Sequence, residues 1–151
     1  MNKAAHKAKR IGSEEEKALL EMLRTVEFLS RPFTDLLKTE DLSSTQYNVL
    51  RILRGAPEGL SCSEIGTRMI SRDPDITRLL DRMEKRGLIS RTRDDKDRRM
   101  VLTRITDLGL DVVGRLDEPI QAIHRSQLGH LGRERLKALS ELLRVCRRET
   151  P

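Results

Sequence analysis

Arg72, Thr77, Arg78 and Arg82 stand close together in the chain, and a second basic group, Lys96, Arg98 and Arg99, follows after a short interval. Side chains of these types do hydrogen-bonding rather than covalent chemistry. An Arg grips a guanine edge or a phosphate with two parallel N–H donors, Thr offers a hydroxyl and a methyl, and Lys brings a point charge. Two acids are interspersed. Asp73 counts with the first group by position and reads as a helix cap. Asp97 reads as the organiser of the second group, paired with a neighbouring Arg, because a carboxylate near phosphates costs energy unless it is paired. Other chemistry is poorly supplied: there is no GxSxG, no phosphate loop, no HExxH and no convergent acid pair. Cys62 and Cys146 lack both CxxC spacing and a nearby His pair, and His6, His124 and His130 are scattered. The sequence therefore predicts no enzyme, no metal and no cofactor.

The elements that position these residues are legible from periodicity. From Ser13 to about Thr39 the apolar residues Leu19, Leu23, Val26, Leu29, Phe33 and Leu36 recur at steps of three and four, which predicts one amphipathic helix. Ser13 with Glu16 reads as its capping box, and Pro32 is expected to bend it without ending it. Ser43 or Ser44 caps a second helix through Tyr47, Leu50 and Leu53, stopped by the Gly and Pro of residues 55–59. A short third helix runs from Cys62 to about Met69. The fourth, about Pro74 to Arg86, takes Asp73 as cap, Pro74 in its first turn and Gly87 as terminator. Its apolar stripe, Ile76, Leu79, Leu80 and Met83, must face the core, which leaves Asp75, Thr77, Arg78, Asp81, Arg82 and Lys85 outward. The period then drops to two in residues 88–93 and 100–105, a β-hairpin whose tip is the charged run 94–99. Thr106 with Gly109 opens a fifth helix that continues across Pro119, and a sixth runs through Leu136, Leu139, Leu142, Leu143 and Cys146.

Two short helices and a hairpin in this order form a winged helix-turn-helix, which places one helix in the major groove of duplex DNA. Charges on a helix more often make a solvated face; the basic hairpin tip in the expected place favours DNA here. Arg98 or Arg99 is suited to a narrow minor groove. Composition agrees: of a net charge of +6, a surplus of four falls in residues 60–106. Aromatics are 2% of the chain, which argues against single-strand binding by base stacking. The predicted fold is mainly α with a small β-hairpin. A single domain spans residues 1–151, with the winged helix-turn-helix at about 42–106 and helical dimerisation segments at about 13–39 and 107–148. A short strand is expected between the second and third helices.

The run Ile76-Thr77-Arg78-Leu79-Leu80-Asp81-Arg82-Met83-Glu84-Lys85-Arg86-Gly87-Leu88-Ile89, then Asp97-Arg98-Arg99, then residues 102–109 resembles the MarR family signature, and with its flanking helices the resemblance covers about residues 13–148. It implies a dimer formed by the first, fifth and sixth helices, a roughly palindromic site, repression, and in many members release by a small ligand. Residues 72–75, Arg-Asp-Pro-Asp, depart from the small hydroxyl residues common there. Asp75 either accepts from a cytosine amino group or sits in the first turn and favours the helix dipole. Dimerisation also has an argument of its own, since the terminal helices carry apolar stripes that the helix-turn-helix core offers little surface to cover. The other reading is a monomer that uses those stripes as its own core.

Phe28, Phe33 and Tyr47 are the aromatics placed to line a ligand cleft, or simply to pack as core. Cys62, opening the third helix, carries an alternative reading as an oxidant sensor. A second alternative is a winged protein-interaction module that turns the same helix face to an acidic partner. The basic N-terminus lacks an apolar run of signal-peptide or membrane-span length, so a cytoplasmic location without membrane contact is expected.

Overall fold

A computed structural model describes residues 12–148; His6 and the basic residues near the N-terminus lie outside them. The elements are α1 (Glu14–Lys38), α2 (Ser44–Arg54), α3 (Cys62–Arg68), α4 (Ile76–Lys85), β1 (Ile89–Arg93), β2 (Val101–Ile105), α5 (Asp107–Leu128), a 3-10 turn (Gly129–Leu131) and α6 (Gly132–Cys146). The chain divides into two compact units, residues 1–31 and 32–151. In the first, the described part of α1 leaves Leu19, Leu23, Val26 and Phe28 exposed. α1 runs on through Pro32 without a break.

The second unit holds the core. Leu50 and Leu53 from α2, Ile65 from α3, Leu80 and Met83 from α4 and Val113 and Leu116 from α5 are almost fully buried, each contributing about 1.5–3 kcal/mol relative to exposure. The starts of the helices follow their caps. Ser43 accepts from the Gln46 N–H while Gln46 reaches back, and Ser61 with Glu64 repeats the arrangement at α3. Thr106 accepts from the Gly109 N–H at 3.1 Å to open α5. α6 buries no residue, and Leu142 and Val145 are at least 60% exposed.

β1 and β2 pair antiparallel from Ile89 opposite Ile105 to Arg93 opposite Val101. The strand expected between α2 and α3 is reduced to one bridge: the Leu60 N–H donates to the Thr103 carbonyl at 3.0 Å and the Thr103 N–H donates back at 2.8 Å. Pro57 and Gly59 hold the segment before it in a turn, which leaves no room for a longer ladder. Among the described residues no helix is long and apolar enough to cross a membrane.

The fourth helix needs a correction. It starts at Ile76, not Pro74, and its cap is Asp75, not Asp73. The Asp73 carboxylate accepts the Asp75 N–H at 2.8 Å, an Asx turn that carries the chain through Pro74 before helix begins. The Asp75 carboxylate then accepts the Arg78 N–H at 3.4 Å. At the other end the Gly87 N–H donates to the Glu84 carbonyl and the Leu88 N–H to the Met83 carbonyl, a Schellman closure with Gly87 at φ +72°.

Candidate nucleic-acid interface

α4 buries Leu79, Leu80 and Met83 and turns Thr77, Arg78, Arg82 and Lys85 to solvent. Arg78, Asp81, Arg82 and Lys85 are spaced three and four apart, so they share one face. Arg72 is exposed in the turn before α4, and Asp73 is half-buried in its Asx turn. Arg78 is 77% exposed and lies 3.6 Å from the Asp75 carboxylate, a loose surface pair that a phosphate can displace. The C-terminal end of the helix is anchored from behind. Arg86 donates to the carbonyls of Asp41 at 2.5 Å and Glu40 at 3.2 Å, and the Glu40 carboxylate in turn accepts from Arg115 of α5 at 2.7 and 2.9 Å.

The hairpin tip is shaped by two aspartates. Asp94 accepts the Lys96 N–H at 3.1 Å, and Asp97 accepts the Arg99 N–H at 3.0 Å. Main-chain bonds from Met100 to Asp97 at 2.8 Å and from Asp94 to Met100 at 2.9 Å close the loop. Lys96, Arg98 and Arg99 consequently stand in solvent, with the Arg99 side chain 95% exposed and its Nε 3.5 Å from the Asp97 carboxylate.

Three participants escape sequence reasoning: Arg91, Glu84 and Asp94. Arg91 of β1 donates from Nε and Nη2 to the Glu84 carboxylate at 2.9 and 2.6 Å, and from Nη2 to Asp81 at 2.5 Å. Its backbone N–H also donates to Glu84, at 3.1 Å. These bonds hold the Glu84 carboxyl below the usual glutamate range and raise Arg91 above its ordinary value. A signal existed: Arg91 is two residues from buried Ile89, hence on the same strand face, where a guanidinium needs a carboxylate. The tie puts the strand leading into the basic tip against the outward side of α4.

The three aromatics stand in different surroundings within their own units. Phe28 is 69% exposed, whereas Tyr47 is 6% exposed and meets Phe33 edge-on with ring centroids 5.5 Å apart. Burial raises the Tyr47 hydroxyl above its ordinary value, against the nearby Arg51. Cys62 is the first residue of α3, half-buried against the core.

Comparison with known proteins places this geometry in context. The sequence model of the MarR family matches residues 42–101, which cover the helix-turn-helix and most of the wing. The chain is 39% identical over 87 residues to the HTH-type transcriptional regulator TtmR of Methylorubrum extorquens, covering 58% of this chain and 44% of TtmR. It is 32% identical over 110 residues to the HTH-type transcriptional repressor IacR of Pseudomonas putida, covering 73% of this chain and 65% of IacR. The chain thus spans less than two thirds of either relative. The crystal structure of a MarR transcription factor from Planctomyces limnophilus superposes with a TM-score of 0.67 at 37% identity, over 90% of this chain and 99% of that one. The winged helix-turn-helix and these matches together establish that the chain belongs to the MarR family.

Proposed function

We propose that this protein is a sequence-specific DNA-binding transcription regulator that represses by occupying a roughly palindromic operator as a homodimer. The observation that carries the reading is the Arg91 tie between α4, whose solvent side bears one cationic group, and β1, which leads into the other. Arg72, Thr77, Arg78 and Arg82 lie at or before the solvent face of α4, and β1, the strand that leads into the tip bearing Lys96, Arg98 and Arg99, is bonded to α4 through Arg91. Arg78 and Thr77 read base edges, Arg72 and Arg82 hold phosphates, and the tip enters the adjacent minor groove, with Asp97 keeping the tip in shape. Relatives named as a transcriptional regulator and a transcriptional repressor support the same activity. Dimerisation is supported by α6, which buries none of its residues and leaves Leu142 and Val145 largely exposed. A regulator of this kind works where the DNA is, so the cytoplasmic location belongs to the same proposal.

Selection of bound sequences from a random duplex pool, followed by footprinting, tests the reading. The expected product is an inverted repeat with half-site centres about one helical turn apart. Failure to enrich any sequence would favour the winged interaction module. Release by a small ligand is a further part of the proposal. It is checked by screening aromatic acids and phenols for loss of duplex binding, and Phe33 and Tyr47 are the aromatics whose packing such a ligand would have to open.

A further inference from the structure

Arg91 stands apart from the other cations of the interface, because its side chain is only 25% exposed and is committed to two carboxylates. Among the described residues, the hydrogen bonds that join β1 to α4 all run through it. A two-stranded hairpin is marginal by itself in water. The root of this one is held by the Leu60 bridge and by the Thr106 N–H on the Leu88 carbonyl at 3.1 Å. Those contacts fix where the hairpin leaves the body, while the sideways angle of the wing against α4 falls to Arg91.

The same contact has an electrostatic side. Asp81 lies three residues from Arg78 and four from Lys85, so without another partner it would draw these cations away from phosphates. Arg91 takes up Asp81 and Glu84 together, and its planar fork fixes both in direction as a lysine could not.

We propose that Arg91 is a positioning residue for sequence recognition: through Glu84 and Asp81 it sets the offset between recognition helix and wing, and so the register in which the two groove contacts are read. This rests on the DNA-binding reading above. Geometry and charge make different predictions for two variants of the full chain. Arg91→Met uncovers two acids, and the double variant Asp81→Asn with Glu84→Gln removes them; both break the tie.

The experiment measures affinity for the duplex enriched by wild-type protein and for a scrambled duplex of the same length, with circular dichroism to confirm that each variant is folded. If Arg91 sets register, the ratio of the two affinities falls in both variants by roughly tenfold, the equivalent of about one mismatched base pair. Scrambled-duplex affinity meanwhile moves in opposite directions, down for Arg91→Met and up for the double variant. A purely electrostatic or structural role would shift both affinities together and leave the ratio within about twofold of wild type, which overturns the proposal. Should Arg91→Met not fold, the double variant decides alone. A wild-type protein that enriches no duplex overturns the DNA-binding reading and this inference with it. Enrichment followed by an unchanged ratio overturns this inference only.

Discussion

Gly109 is the position where a single methyl group should do measurable damage. It is buried in the first turn of α5 beneath the root of the wing, and a Cβ there would stand 2.3 Å from the Leu88 carbonyl oxygen and 2.7 Å from Cγ1 of Ile105. The first contact is roughly 1 Å inside ordinary van der Waals distance, and the atom that must give is backbone. That carbonyl accepts the Thr106 N–H at 3.1 Å, while Thr106 Oγ1 donates to the Gly87 carbonyl at 2.6 Å, so the shift strains the joint between α4, β2 and α5. Overpacking costs about 1–3 kcal/mol, and weakening the main-chain bond costs about 1 kcal/mol. The helix propensity of Ala over Gly returns about 1 kcal/mol. The net expectation for Gly109→Ala is a loss of about 2 kcal/mol, a drop in Tm of roughly 4–8 °C for a chain of this size. Gly114 of the same helix has no atom within 4 Å of its hypothetical Cβ, so Gly114→Ala is the control and should lose nothing. Urea and thermal unfolding of the two variants measure the difference. Equal stability within about 0.5 kcal/mol would refute the steric reasoning.

Three further outcomes are expected. Ser61→Ala removes the oxygen that accepts the Glu64 N–H at 3.3 Å and pairs with the Glu64 carboxylate at 2.8 Å, and should cost about 1 kcal/mol in urea unfolding; an unchanged midpoint would show that the cap is dispensable. The carboxyls of Glu84 and Glu40 are held low chiefly by hydrogen bonds from Arg91 and Arg115, so their contribution is complete above the ordinary glutamate value and is lost as pH falls through the lowered ones. The urea midpoint should therefore be flat from neutral pH to about 5 and fall below about 4.5, less steeply in Glu84→Gln; a midpoint that rises on acidification would contradict the assignment. Since Cys62 packs half-buried against the core, Cys62→Ser and wild-type protein should bind duplex equally after peroxide treatment, and a loss confined to wild type would revive the oxidant-sensing reading.

How far the sequence carries can be read at α4. Its buried stripe and outward cations follow from a 3.6-residue period alone, because a helix beside a core has one choice of face. Its start did not follow, since Asp73-Pro74-Asp75 offers two caps and only the three-dimensional path shows that the first is used to turn the chain. The tip of the wing was legible as charge, but its shape depends on Asp94 as well as Asp97. Arg91 was hidden for a different reason. Strand alternation gives its face, yet the identity of what covers that face belongs to tertiary structure. The segment at Leu60 shows the reverse, where a plausible strand shrinks to a single bridge because the turn before it uses up the chain.

The central claim is that α4 and the hairpin tip act as one DNA-binding surface, and the salt dependence of duplex affinity measures it most directly. The logarithm of affinity against the logarithm of salt concentration should be a steep straight line for wild-type protein, with the slope reduced by about one for each phosphate-binding cation removed. Arg78→Ala and Arg99→Ala should each weaken binding of the enriched duplex, and Arg99→Ala should flatten the line. Affinity indifferent to salt, or full-strength binding by both variants, would contradict the account.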